Sequence, residues 1–199
     1  MVPEKLLGGK TMLEYEKKIM LTAKEYFAIL LLMYKHAPVN IQTNYYFDND
    51  DLSMNEKGIT YRIRAKDGKY KATMKSHISQ YPDCSIESNL NEKSEFDPQI
   101  FNVFGLHYQG NLVTERAVLY QDSFCKMVLD RNIYLGHTDF ELEVEYDRES
   151  EKKAKVLLED VAEFLSVKEK LTKVNDFLSR VGKGKSKSGR FFERLKKLK

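Results

Sequence analysis

Three glutamates spaced two apart, Glu141, Glu143 and Glu145, alternate with Leu142, Val144 and Tyr146. In an extended strand such residues share one face, which sets the three carboxylates in a row at Cβ spacings of about 7 Å. Like charges so placed repel, and something cationic must compensate them. A second acidic strand lies near the N-terminus, where Glu14, Glu16 and Lys18 point one way and Leu13, Tyr15 and Ile19 mainly the other, with Lys17 spoiling the pattern. Basic residues dominate the segments between: Arg62 and Arg64 share a face, Lys71 and Lys75 share one, and Arg116 alternates with Val113 and Ala117. Taken singly, each charged face reads as the wet side of an antiparallel sheet. Taken jointly they are segregated, acidic on the first and last strands and basic in the middle, which a solvated surface has no need to be. Carboxylates take hard cations such as Mg²⁺ or Mn²⁺, and Arg and Lys take phosphate oxygens. The chemistry that suits this set is a polyanion held through a divalent metal.

Period-two alternation places about eight strands, over residues 13–20, 42–47, 59–65, 69–75, 84–88, 113–120, 124–130 and 139–146. Asp67-Gly68 between two of them is a tight-hairpin signal, since both residues tolerate positive φ. Helices punctuate the sheet. The first opens at Thr22 and Glu25 in capping-box spacing and runs over Tyr26, Phe27, Leu30 and Leu31 before Pro38. A short one follows Asp97-Pro98 and stops at Gly105. A long one starts near Ser150, with Leu171, Val174, Phe177 and Leu178 continuing it or forming another. If the sheet closes with its charged faces inward, the apolar faces look outward and the helices cover them. The expected fold is therefore α+β, a closed antiparallel eight-stranded β-tunnel with helices packed outside. The basic tail from Gly182 to Lys199 caps one tunnel mouth in this reading, because Phe191 and Phe192 would otherwise be exposed.

The 199 residues, 42% of them hydrophobic, suffice for one domain with a buried core. Residues 1–11, with Gly8-Gly9 and no periodicity, read as a disordered leader, and residues 12–199 as the single domain with its basic C-terminal helix or tail. Basic residues number 33 against 30 acidic, a net charge of +3 that argues against wholesale nucleic-acid coating. The longest apolar stretch, Phe27 to Tyr34, is too short to cross a bilayer, and no export leader is legible. Cys84 and Cys125 are far apart and lack paired metal or redox spacing, so a reducing cytoplasm is the expected location, with both thiols packed. Gly184-Lys185-Ser186 resembles the end of a phosphate-binding loop but lacks the glycine five positions earlier, where Ser179 stands. His36, His77, His107 and His137 fall in no ligand spacing, and Tyr45, Tyr46, Phe47 and Tyr61 read as strand packing rather than base stacking.

In order along the chain, Glu14, Glu16 and Lys18 form E-x-E-x-K, followed by the strand Gln42 to Asp48, the R-x-R pair Arg62 and Arg64, Lys71 with Lys75, Glu87, the run Thr114 to Arg116, Asp130 and the closing Glu141 to Glu145. This ordered set resembles the CYTH superfamily, the triphosphate tunnel metalloenzymes. That superfamily includes thiamine triphosphatases, tripolyphosphatases, fungal RNA triphosphatases and a class of adenylyl cyclases. The tail from Lys185 to Arg194 resembles an uncharacterised bacterial branch, which leaves the substrate open. The resemblance implies Glu14, Glu16, Glu143, Glu145 and Asp130 as metal ligands, with Glu141 less definite. It implies Lys18, Arg62, Arg64, Lys71, Lys75 and Arg116 as phosphate binders. Lys18, Glu87 and Arg116 are the candidates for the catalytic step, Glu87 or Glu16 as the group orienting water, unless it only partners an arginine.

The expected activity is metal-dependent hydrolysis of the terminal phosphate of inorganic tripolyphosphate or an organic triphosphate, with Mg²⁺ or Mn²⁺ as cofactor. The expected partner is a small triphosphate; neither membrane nor nucleic acid is expected, and oligomeric state is not legible. Alanine at Glu14, Glu16, Glu143 or Glu145 is expected to abolish turnover while leaving the fold. Two other readings stand beside it: a tunnel that binds a nucleotide, a polyphosphate or RNA without turnover, and an adenylyl cyclase-like activity releasing pyrophosphate.

Overall fold

The computed structural model describes residues 11–78, 80–81 and 83–199. Residues 1–10 of the expected leader lie outside the described residues, and Thr11 opens the first strand. Eight strands form among the described residues: β1 (Thr11–Leu21), β2 (Val39–Asp48), β3 (Ile59–Lys66), β4 (Lys69–His77), β5 (Cys84–Lys93), β6 (His107–Gln121), β7 (Cys125–Tyr134) and β8 (His137–Tyr146). They close into a barrel in the order β1-β5-β4-β3-β2-β6-β7-β8. Every neighbouring pair is antiparallel, and β1 completes the ring by pairing with both β5 and β8.

The alternation in sequence becomes an inverted barrel. Outward-facing Ile19, Met127, Leu129, Leu142 and Val144 are fully buried beneath the helices, in one cluster with Tyr26, Ile29, Leu158, Val161, Leu165 and Phe177. On the opposite wall Phe47, Tyr61 and Ile63 pack against Phe101 and Leu106. The apolar core therefore lies outside the sheet, which leaves the polar and charged faces to the interior. Asp67 and Gly68 turn β3 into β4 with φ of 50° and 72°, the left-handed pair a two-residue hairpin requires. Lys17 does not spoil the outer face of β1. It is buried there, with its ammonium 2.9 Å from Asp83 and 3.2 Å from Glu151.

Helix α1 (Ala23–Ala28) starts with the expected capping box: the Glu25 N–H donates to Thr22 Oγ1 at 3.3 Å and the Thr22 N–H to Glu25 Oε2 at 2.8 Å. It continues with wider turns through Ile29–Met33. A short α2 (Ser53–Glu56), not anticipated, folds over Asp48, whose carboxylate accepts from the N–H groups of Met54 and Asn55. The segment Pro98–Phe104 forms 3₁₀ turns after Asp97 and ends at Gly105. The question left open past Ser150 resolves into two helices, α3 (Glu151–Glu163), widened through Phe164–Lys168, and a separate α4 (Val174–Leu178). Helix α5 (Lys187–Leu198) follows, capped by Ser186, which accepts from the Gly189 N–H at 3.1 Å. None of the described helices is long and apolar enough to cross a membrane.

β6 begins well before Val113, where the alternation suggested. Gly110 sits at φ 140° opposite Tyr46, and the register with β2 shifts between Tyr46 and Phe47. A bulge of this kind adds a residue and breaks the period-two pattern by which the strand would be read.

Candidate active site

Antiparallel partners directly opposite each other share a face, so the register carries the charged residues to the barrel interior. Glu16 lies opposite Glu145 and Lys18 opposite Glu143 across β1 and β8. Lys75 lies opposite both Thr60 and Glu87, and Arg116 opposite Asp130. One cavity in the barrel is lined by Glu14, Glu16, Lys18, Arg62, Arg64, Lys75, Glu87, Arg116, Glu143 and Glu145, together with Gln42, Thr60, His77, Ser186, Lys187 and Ser188. Its walls are polar throughout, with acidic and basic side chains facing one another across it. Of the residues singled out from sequence, Lys71, Asp130 and Glu141 do not line it. Lys71 lies further along β4, opposite Arg64 and Glu92. Asp130 is fully buried behind Arg116 and Lys187.

The basic wall has an internal asymmetry. Arg62 Nη2 donates to Glu87 Oε2 at 2.7 Å and its Nε to Thr73 Oγ1 at 3.2 Å. Burial alone would raise the Glu87 carboxyl, but Arg62, Arg64 and Lys75 together hold it below the ordinary range. Glu87 is thereby the ionised partner of an arginine. Arg64 is different: its Nε donates to Asn44 Oδ1 at 3.2 Å, and among the described residues no carboxylate stands within ion-pair distance of it. Burial and the neighbouring Arg62 push its guanidinium down to about 10. The Asn44 amide nitrogen beside it is buried without a hydrogen-bond partner. A half-buried cation and a spare donor side by side favour an incoming anion.

The acidic wall divides into an outer and an inner group. Outside, Glu14 pairs with Lys75 at 2.9 Å, and Glu16 pairs with Lys18 at 3.0 Å and Lys75 at 3.8 Å. Glu145 contacts Arg116 at 3.4 Å and Lys126 at 3.6 Å. Inside, Asp130, Glu141 and Glu143 bring one oxygen each within 4.8 Å of the others, the tightest carboxylate cluster among the described residues. Arg116 grips both oxygens of Asp130, at 2.8 and 2.7 Å, and reaches Glu143 at 2.9 Å. Burial would lower its guanidinium, and these carboxylates raise it instead. Burial would likewise raise the Glu143 carboxyl, but Lys187, Lys18 and Arg116 hold it well below the usual range. Both groups offer the hard oxygen donors that suit Mg²⁺ or Mn²⁺, yet only the outer one keeps solvent access. The side chains of Glu14, Glu16 and Glu145 are 32%, 20% and 42% exposed, against 4% or less inside.

Six of the lining residues were not site candidates from sequence, Gln42 on β2 and Thr60 on β3 among them. His77, at the end of β4, lines the cavity with its imidazole lowered by burial and by Lys75. Ser186, Lys187 and Ser188 arrive from the C-terminus. Helix α5 enters the far end of the barrel, where Phe191 and Phe192 are buried among Tyr46, Leu52, Leu112 and Tyr134. The tunnel is thus closed at that end, as expected of the tail. The spacing of Lys187, Arg190, Phe191 and Arg194 on one helical face was the signal available. Tyr45, Phe47 and Tyr61 pack outside on Phe96 and Phe101, and Cys84 and Cys125 are buried free thiols.

The CYTH domain family matches residues 12–175. A Bacillus subtilis protein, YjbK, provisionally named a triphosphatase, is 30% identical over 148 residues, covering 67% of this chain and 77% of that protein. A Bacillus halodurans structure, provisionally named an adenylate cyclase, superposes with a TM-score of 0.67 at 22% identity, over 92% of this chain and 98% of the other. HpAC1 from Hippeastrum, described as revealing a dominant triphosphatase activity, superposes with a TM-score of 0.55 at 20% identity, over 78% and 87%. At these identities the two structures speak to the fold alone. Helix α5 lies beyond the matched residues.

Proposed function

Because the chain belongs to the CYTH family, we propose that it hydrolyses the terminal phosphate of a linear triphosphate, with Mg²⁺ or Mn²⁺ as cofactor. The observation that carries this reading is Arg64, a half-buried guanidinium without a carboxylate partner among the described residues, on the wall of a closed-ended polar cavity. Its natural counter-ion is a phosphate oxygen. Arg62, Arg64, Lys75, Lys18 and Arg116 orient the phosphate chain, with Lys71 contributing long-range charge from further along β4. Glu87 fixes the Arg62 fork through the 2.7 Å contact. Glu14, Glu16 and Glu145 would hold the divalent cation, which when bound neutralises phosphate charge and polarises the phosphoryl group. Glu16 remains ionised beside Lys18 and Lys75, against burial and Glu143, and accepts a hydrogen bond from the attacking water. Positioning and charge neutralisation supply most of the rate in such a reaction. The working unit includes α5, since it closes the cavity.

Among the described lining residues there is no Phe, Tyr or Trp, which favours inorganic tripolyphosphate over substrates carrying a base to be stacked, and hydrolysis over cyclisation of a nucleotide. Phosphate release from tripolyphosphate, thiamine triphosphate and ATP, with Mg²⁺ or Mn²⁺ and with chelator, tests the proposal. Chelator-sensitive orthophosphate from tripolyphosphate is the expected result. Pyrophosphate from ATP would replace hydrolysis by cyclisation, and silence across the panel would leave a binding module.

A further inference from the structure

Lys187 is the first residue of α5. A cation there opposes the helix dipole, so helix formation does not explain it. What surrounds it does. Its ammonium lies 2.9 Å from Asp130 Oδ2 and 2.9 Å from Glu143 Oε2, and it also contacts Glu141 Oε1. The remaining oxygens of the same cluster are taken too. Arg190 Nη2 pairs with Glu141 Oε2 at 2.9 Å, Arg116 grips Asp130, and Lys18 pairs with Glu143 Oε1 at 3.0 Å. Lys187, Arg190, Arg116 and Lys18 therefore answer all the negative charge of Asp130, Glu141 and Glu143. A dication entering this cluster would meet a fixed ammonium in its place.

The ammonium is held there by more than its own salt bridges. Thr60 Oγ1 donates to Ser188 Oγ at 2.9 Å, Phe191 and Phe192 are buried in the barrel end, and Arg194 Nε donates to the Leu135 carbonyl at 2.8 Å. These contacts fix the helix and so aim Lys187. Mg²⁺ and Mn²⁺ keep part of their hydration when bound, which requires room that the inner cluster, with only Glu143 at the cavity wall, lacks and the outer glutamates have.

We propose that Lys187 is a resident cation that substitutes for a divalent ion among Asp130, Glu141 and Glu143 and confines the metal to Glu14, Glu16 and Glu145. The inference rests on the metal-dependent reading above and assigns to α5, which lies outside the matched family region, the positioning of that metal. Sequence order alone would have given the metal to both groups.

The test counts bound Mn²⁺ by electron paramagnetic resonance on the full chain, freed of metal by chelator and without substrate. Lys187→Met is expected to bind one more Mn²⁺ per chain than wild type, and adding Glu141→Gln to it is expected to remove that extra ion. An unchanged count, or a gain that survives Glu141→Gln, overturns the proposal. If Lys187→Met does not fold in chelator, Mn²⁺ is expected to restore a cooperative melt; a chain that stays unfolded with Mn²⁺ also overturns it. Because nothing is turned over, failure of the hydrolase reading shows separately, as wild type that releases no phosphate whatever its Mn²⁺ count.

Discussion

Tyr46 of β2 and Phe191 of α5 pack ring on ring, centroids 4.9 Å apart, and neither exposes any surface. The Phe191 ring also lies against β6 at Gly110, where an added Cβ would stand 2.7 Å from Cζ. The barrel end is thus built around one aromatic side chain from the last helix. Phe191→Ala is expected to destabilise the fold by about 3–5 kcal/mol, the usual range for emptying such a site. Gly110→Ala faces both the collision and a φ of 140°, and a loss on the order of 1–3 kcal/mol is expected. Urea unfolding of the two variants checks both, and a neutral Gly110→Ala would mean the ring yields at little cost.

Arg64 and Arg116 are expected to respond oppositely to truncation. Arg116 neutralises buried Asp130 and Glu143, and removing it leaves three buried carboxylates crowded on Lys187 with the bidentate grip on Asp130 gone, a loss of about 3–5 kcal/mol. Arg64 is half-buried beside Arg62, with no carboxylate partner among the described residues. Arg64→Met is expected to keep or raise the melting temperature while weakening tripolyphosphate binding at least tenfold. Thermal melts with and without tripolyphosphate separate the two, and a destabilised Arg64→Met with intact binding would contradict the assignment.

Much of the arrangement was legible because it rests on the period of a strand. Glu14, Glu16 and Lys18, or Arg62 and Arg64, must share a face wherever the strand goes, and a face so charged must be either solvated or paired. The capping box at Thr22 and Glu25 and the turn at Asp67-Gly68 depend only on local backbone chemistry. Less visible was what pairs with what across strands far apart in sequence. The division of the carboxylates into an outer and an inner group follows from how α5 docks, and nothing in the spacing of Asp130, Glu141 and Glu143 says that Lys187 will lie among them. The bulge at Gln109, next to Gly110, hid part of β6 because it interrupts the alternation by which a strand is read.

Glu25 ties α1 to the segment after α4: its carboxylate accepts from the Thr22 N–H at 2.8 Å and from Arg180 Nη1 at 3.2 Å. Burial alone would raise this carboxyl, but Arg180 and Thr22 hold it below its ordinary value of 4.5. A depressed carboxyl contributes stability that is fully present above its unfolded value and lost as pH falls through its folded one. Wild type is therefore expected to exceed Glu25→Gln in stability at neutral pH, by a margin that shrinks as pH drops below about 4.5. Urea midpoints across that window measure it, and a margin independent of pH would remove Glu25 from the acid response.

The glutamates expected to bind metal separate by their structural duties. Glu14 and Glu145 are partly exposed and share their cations with other carboxylates, so alanine there is expected to change stability by less than about 1 kcal/mol while abolishing chelator-sensitive turnover. Glu143 is the exception to a fold-neutral substitution. Its two oxygens hold Lys18, Arg116 and Lys187 together, and its removal leaves those cations to repel one another in a sealed interior. Glu143→Ala is expected to lose about 3–5 kcal/mol as well as activity, whereas Glu143→Gln keeps hydrogen-bond acceptance and recovers part of the stability alone. Melting temperature and phosphate release measured on the same preparations decide it: if Glu143→Ala melts like Glu14→Ala, the inner cluster is not what holds the cations of the two walls in register.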